Sequence, residues 1–113
     1  MCNIYITHEC HIFPLSGDQL LGLLAALASA PRLRIIAALK TDGRNYVSQL
    51  AREVGISRPL LHLHLRKLEE AGLVTSKLEL SADGKALNYF EVADFDVELN
   101  PAAIVKAVKS LTS

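Results

Sequence analysis

A chain of 113 residues has the length of one domain. Half of it is hydrophobic, while Lys+Arg and Asp+Glu each number 12. The zero formal charge argues against a strongly basic nucleic-acid binder, and the apolar half exceeds what one small domain readily buries, so burial against a second subunit is the natural outlet.

The first stretch, Met1–Pro14, alternates Ile4, Ile6, His8, Cys10 and Ile12 with Asn3, Tyr5, Thr7, Glu9 and His11. That pattern predicts a short strand or an extended arm, so residues 1–15 are read as an arm and 16–113 as the domain. The run has no basic region followed by a clean apolar core, so no secretion signal is expected. Two cysteines without a leader predict an intracellular, cytoplasmic protein with free thiols. The apolar run Leu20–Ala28 is too short to span a bilayer, so no membrane partner is expected.

Ser16–Asp18 offers N-caps for a first helix over Asp18–Ser29. Leu20, Leu21, Leu23, Leu24 and Leu27 cover most of its circumference, which predicts a subunit interface. Pro31 opens a second helix, Pro31–Leu39. Thr41–Asn45 carries turn chemistry, and Asn45 is expected to cap a third helix over Val47–Gly55.

Gly55, Ile56 and Ser57 then form a short turn into the next helix, Ser57–Leu73, reading SRPLLHLHLRKLEEAGL. Ser57 is its N-cap, Pro59 sits harmlessly in its first turn, and Gly72 suits its C-terminal cap. Leu61, Leu65 and Leu68 fall on one stripe at 100° per residue; Pro59, His62, Leu63, Arg66 and Glu70 fall opposite. Helix, Gly-containing turn and second helix make a helix-turn-helix, whose second helix enters the DNA major groove.

Leu73–Leu80 and Lys85–Ala93 have strand character around a Ser-Ala-Asp-Gly hairpin loop, with Leu87, Tyr89 and Val92 expected on one side. A hairpin there is a wing. Asn100-Pro101 opens a last helix to Leu111, with Ile104, Val105, Val108 and Leu111 as its apolar stripe. The expected fold is mainly α with a small β-hairpin, an α+β winged helix-turn-helix in the order α-α-α-α-β-β-α. Charge is uneven along it: Arg44–Lys85 holds seven Lys/Arg against five Asp/Glu, while Glu91–Glu98 holds four acids and no base.

With LASAPRLRIIAAL, VSQLAREVGIS and SRPLLHLHLRKLEEAGLV in this order, the chain resembles the ArsR-type winged-helix transcription regulators over roughly Asp18–Leu111. The resemblance implies a homodimer on a palindromic double-stranded operator, joined through its first and last helices: Leu20, Leu23, Leu24, Leu27, Ile104, Val108 and Leu111. It places the DNA-reading positions at Arg58, Pro59, His62, Leu63 and Arg66, behind the cap Ser57. Arg58 and Arg66 suit guanine edges or phosphates, His62 can donate to N7 or O6, and Leu63 and Pro59 suit thymine methyls or sugars. Ser48 and Gln49, in the first turn of the third helix, are placed to donate to a phosphate. Lys77 and Lys85 flank the wing, where backbone contact competes with a solvated strand position. His64 matches the family's inward-leaning histidine and is read as packed and hydrogen-bonded.

The chain also departs from that family. Asn45–Gln49 and Asn100–Leu111 lack the cysteines, and the acids and histidines, with which relatives hold metals. Cys2, His8, Cys10 and His11 in the arm could together hold a tetrahedral thiophilic metal, or the thiols could pair between subunits; an arm packed across the dimer is the preferred reading. No cofactor is expected. Nor is an enzyme, for the sequence has no activated nucleophile motif, paired carboxylates or Gly-rich phosphate loop. Besides the DNA-binding regulator, a winged helix used only for protein contacts and a metal- or thiol-responsive repressor using the arm stay open.

Overall fold

The computed structural model describes residues 16–112. Cys2, His8, Cys10 and His11, and the arm they belong to, lie outside the described residues. Among the described residues the order is α1 (Gly17–Leu27), α2 (Ala30–Asp42), β1 (Asn45–Tyr46), α3 (Val47–Val54), α4 (Arg58–Glu70), β2 (Val74–Leu80), β3 (Ala86–Val92) and α5 (Pro101–Val108). The chain divides into two compact units: Ala26–Ala93, and a second built from its ends, up to Ala25 and from Asp94.

In the unit Ala26–Ala93 the core is Ile35 and Leu39 of α2, Leu50 and Ala51 of α3, Leu61, Leu65 and Leu68 of α4, then Leu73, Val74 and Phe90. Each helix starts and stops where local chemistry dictates. Ser29 is extended, at φ −159° and ψ 124°, and its hydroxyl accepts from the Arg32 amide. It therefore caps α2 rather than closing α1, which ends two residues earlier than expected. Nothing between Leu39 and Asp42 breaks a helix, so α2 runs on until Gly43. Gly55 ends α3 in the left-handed region, at φ 84° and ψ 35°, where a side chain would be strained, and so turns the chain into α4. At the other end of α4, Gly72 and Leu73 donate back to the Glu69 and Leu68 carbonyls, a Schellman closure on the glycine expected there.

The wing is a three-stranded antiparallel sheet in the order β1-β3-β2, not the two-stranded hairpin expected. Asn45 pairs with Phe90 and Tyr46 with Tyr89. Asn45 therefore does not cap α3. It stands one residue too early; its Oδ1 accepts from the Tyr46 amide and its Nδ2 donates to Glu53, while Tyr46 fills the N-cap position without a side-chain bond. The ladder also corrects the expected alternation. Val92 pairs with Val74 and shares its face with buried Phe90, because the side-chain period is two; Leu87 and Tyr89 lie on the opposite face.

In the other unit, α1 begins with a reciprocal cap: Ser16 Oγ accepts from the Gln19 amide, and Gln19 Oε1 accepts from the Ser16 amide. The Gly17 amide donates to Ser110 Oγ, and Asp18 accepts from the Thr112 hydroxyl at 2.6 Å and from its amide. The start of α1 thus lies against the end of α5. A Cβ on Gly17 would stand 2.4 Å from the Ala107 carbonyl oxygen and 3.0 Å from Leu111 Cα. Both are backbone atoms and cannot swing aside. Gly17→Ala is expected to destabilise the chain by about 1–3 kcal/mol, read as a lower thermal midpoint; an unchanged midpoint would mean that the two helix ends separate at no cost. Among the described residues no single helix is long and apolar enough to cross a bilayer.

Candidate nucleic-acid interface

The interface is built around α4. Ser57 Oγ accepts from the Leu60 amide and Pro59 occupies the first turn, so the helix start is fixed by local bonds. Leu61, Leu65 and Leu68 are fully buried. That rotation turns Pro59, His62, Leu63 and Arg66 outward; these four and Arg58, the first residue of the helix, are exposed. Arg58, His62 and Arg66 form no hydrogen bond or ion pair with any described residue, whereas Lys67, one residue further on, pairs with Glu70 at 3.9 Å. Leu63 is 56% exposed on this face, opposite the buried stripe. Three unpaired donor groups on the same helix as an exposed apolar side chain can contact an acceptor-rich surface that also carries methyl groups.

Other expected contacts differ in availability. Ser48 and Gln49 are half-buried in the first turn of α3, and Gln49 Nε2 already donates to Glu53 at 3.3 Å. Lys77 projects from β2 with its Nζ 3.7 Å from Glu79. Lys85 is exposed at the hairpin turn, where its amide donates to Ser81 Oγ. The Ser81 hydroxyl and the Lys85 amide hold the Asp83 carboxyl below its ordinary range.

His64 leans inward as expected. Arg32 Nε donates to its Nδ1 at 3.1 Å. Burial, then the charge on Arg32, lowers its pKa from the ordinary value, so the folded protein favours the neutral ring. The unfolded chain then binds the proton more readily. Stability should be full above about pH 6.5 and fall as pH drops below it, towards the lowered value in the fold. Denaturant midpoints from pH 7 to 5 should decline less in His64→Gln than in the parent; equal declines would place the responsible group elsewhere.

One group escaped the sequence reading. The Arg44 guanidinium grips Glu79 with both forks, Nη1 to Oε2 at 2.6 Å and Nη2 to Oε1 at 3.0 Å, while its Cζ lies 4.5 Å above the Tyr89 ring. Tyr46 meets Tyr89 edge-on at 5.9 Å. The Arg44 bond, foremost, holds the Glu79 carboxyl below its ordinary range. The only signal was strand alternation around Tyr89; without β1, nothing in the sequence brings Arg44 to it.

Comparison with known proteins places this architecture. The profile of the bacterial regulatory proteins of the arsR family matches residues 29–76, from the cap of α2 into β2. An uncharacterised HTH-type transcriptional regulator of Methanocaldococcus jannaschii is 35% identical over 81 residues, covering 72% of this chain and 83% of that one. Among solved structures, the homodimeric winged helix-turn-helix DNA-binding domain of a possible ArsR-family regulator from Mycobacterium bovis is similar at a TM-score of 0.58 and 27% identity, over 66% of this chain and 64% of that one. NolR from Sinorhizobium fredii is similar at 0.57 and 26%, over 83% and 88%. The profile match falls on the same helices that the Leu61, Leu65 and Leu68 stripe positions, and the archaeal relative carries the likeness over most of its length. The chain belongs to the ArsR family of winged helix-turn-helix transcription regulators.

Proposed function

We propose that this regulator is a homodimer that binds a palindromic double-stranded operator sequence-specifically, with α4 in the major groove and the wing against the backbone. The observation that carries the reading is the exposed start and outward face of α4, where Arg58, His62 and Arg66 are unpaired with described residues. Lys and Glu would serve mere solubility; these residues match base edges and phosphates. Ser48, Gln49, Lys77 and Lys85 are backbone contacts in the same docking, and Ser57 holds the start of the reading helix.

Dimerisation follows from apolar surface. Leu21 and Leu24 of α1, and Ile104, Val105 and Val108 of α5, are exposed in the single chain. Leu20 and Leu27 are half-exposed, as is Leu111 beyond α5, whereas Leu23 is spent inside its own subunit. The Mycobacterium bovis relative is described as homodimeric. Two heads would read half-sites about one helical turn apart. Such a protein works where the chromosome is, in the cytoplasm. With no net charge, it should bind random DNA poorly at physiological salt, and affinity should come from close contacts by both heads.

Selection of bound duplexes from a random pool tests this. A palindromic consensus is the expected result. Replacing the thymines under Leu63 by uracil should then weaken binding about fourfold for each methyl that is lost from the contact. The zero net charge and the exposed Leu63 favour a second reading, a winged helix that docks on protein. Selection without enrichment would favour it.

A further inference from the structure

The sheet face that carries Tyr89 holds a cationic site that α4 does not use. Register fixes its members: Tyr46 pairs with Tyr89, Tyr89 with Lys77, and Glu79 stands two residues beyond Lys77 towards the hairpin turn. Arg44 precedes β1, yet its head group does not stay at the base of the wing. It crosses β3 over the Tyr89 ring and closes on Glu79 of β2 with two hydrogen bonds. Lys77 Nζ approaches the same Glu79 oxygen. One carboxylate therefore pairs with two wing cations, and Tyr46 braces the aromatic platform beneath one of them. Glu91 acts on Arg44 through its charge, with no hydrogen bond between them.

Fastening strands does not require this arrangement. β2 and β3 are already joined by a seven-pair ladder, and an exposed ion pair adds little stability. A guanidinium held over an aromatic ring, with two N–H groups aimed at a pair of oxygens, is the geometry that receives a phosphodiester. The position also fits. α3, with Ser48 and Gln49 in its first turn, begins directly after Tyr46, and Lys85 stands at the turn beyond Glu79.

We propose that Arg44 and Lys77 form a phosphodiester site for the DNA backbone on the wing, and that Glu79 occupies it in the free protein as an internal stand-in for the phosphate. The proposal rests on the DNA-binding reading above. Binding at the wing is then an exchange of one anion for another. Random duplex gains little from that exchange, since both cations are already paired with Glu79. A duplex seated on α4 holds its phosphate beside the fork and can displace Glu79. The device suppresses non-specific binding and leaves specific binding largely intact.

Glu79→Gln keeps the shape and removes the charge, and Glu79→Asp keeps the charge but shortens the reach. Binding of the full chain is read by fluorescence anisotropy across salt, on a selected duplex and on a scrambled one of equal length. Glu79→Gln should bind the scrambled duplex more tightly, with a log K–log salt slope steeper by about 0.9 for each phosphate gained. Glu79→Asp should move the same way by less, and adding Arg44→Gln to Glu79→Gln should abolish the gain. Arg66→Ala is the reference arm. If it weakens the selected duplex while neither Glu79 variant changes scrambled binding or slope, the fork only fastens strands, and the proposal fails with the helix reading intact. If Arg66→Ala is also silent, the DNA-binding reading falls too.

Discussion

Leu24→Glu is expected to yield a folded monomer. Leu24 is 39% exposed in the single chain, so a carboxylate there reaches water and the subunit loses little. In the proposed dimer the same carboxylate enters an apolar seam twice, once from each subunit, without a cation to meet it. The effective penalty of burying an unpaired ion is several kcal/mol. Dimer affinity should therefore fall by roughly 3 kcal/mol or more, about a hundredfold. Ile104→Glu should act alike, since Ile104 is 46% exposed on α5. Sedimentation equilibrium with circular dichroism reads both quantities. A parent that sediments as a monomer, or a variant that dimerises as tightly as the parent, would end the assignment of this surface. Leu23 makes the contrast: it is 8% exposed, so Leu23→Glu should unfold the subunit itself.

Arg66→Ala is expected to weaken specific DNA binding by about 1–3 kcal/mol, roughly fivefold to 150-fold, as for a lost base or charged phosphate contact. Arg66 is exposed, faces away from Leu65 and Leu68, and is unpaired with described residues, so its removal leaves the fold unperturbed. The comparison needs a substitution of equal charge outside the helix-turn-helix and the wing, and Lys40→Ala serves. Glu79→Ala, which sequence alone would offer as a silent control, does not, because it would release Arg44 and Lys77. Equal losses from Arg66→Ala and Lys40→Ala would mean that only overall charge matters and that α4 is not the reading element.

Much of this was legible in the residues because its causes are local. A cap acts within three residues, so Ser57 on Leu60 and Asn100 on Ala103 could be read directly. Helical period is equally local, and it set Leu61, Leu65 and Leu68 inward and Pro59, His62, Leu63 and Arg66 outward before any fold was known. The order of the helices and the two long wing strands followed from the same signals.

What stayed hidden depends on partners far along the chain. β1 has two residues, too few to show a period, and exists only because β3 offers it a ladder. Arg32 and His64 meet across 32 positions, and Arg44 and Glu79 across 35. Sequence determined the helix-turn-helix, since caps and periodicity are properties of neighbouring residues. Tertiary structure alone decided which cations are already paired, since an ion pair forms wherever packing brings two charges together, whatever the distance along the chain.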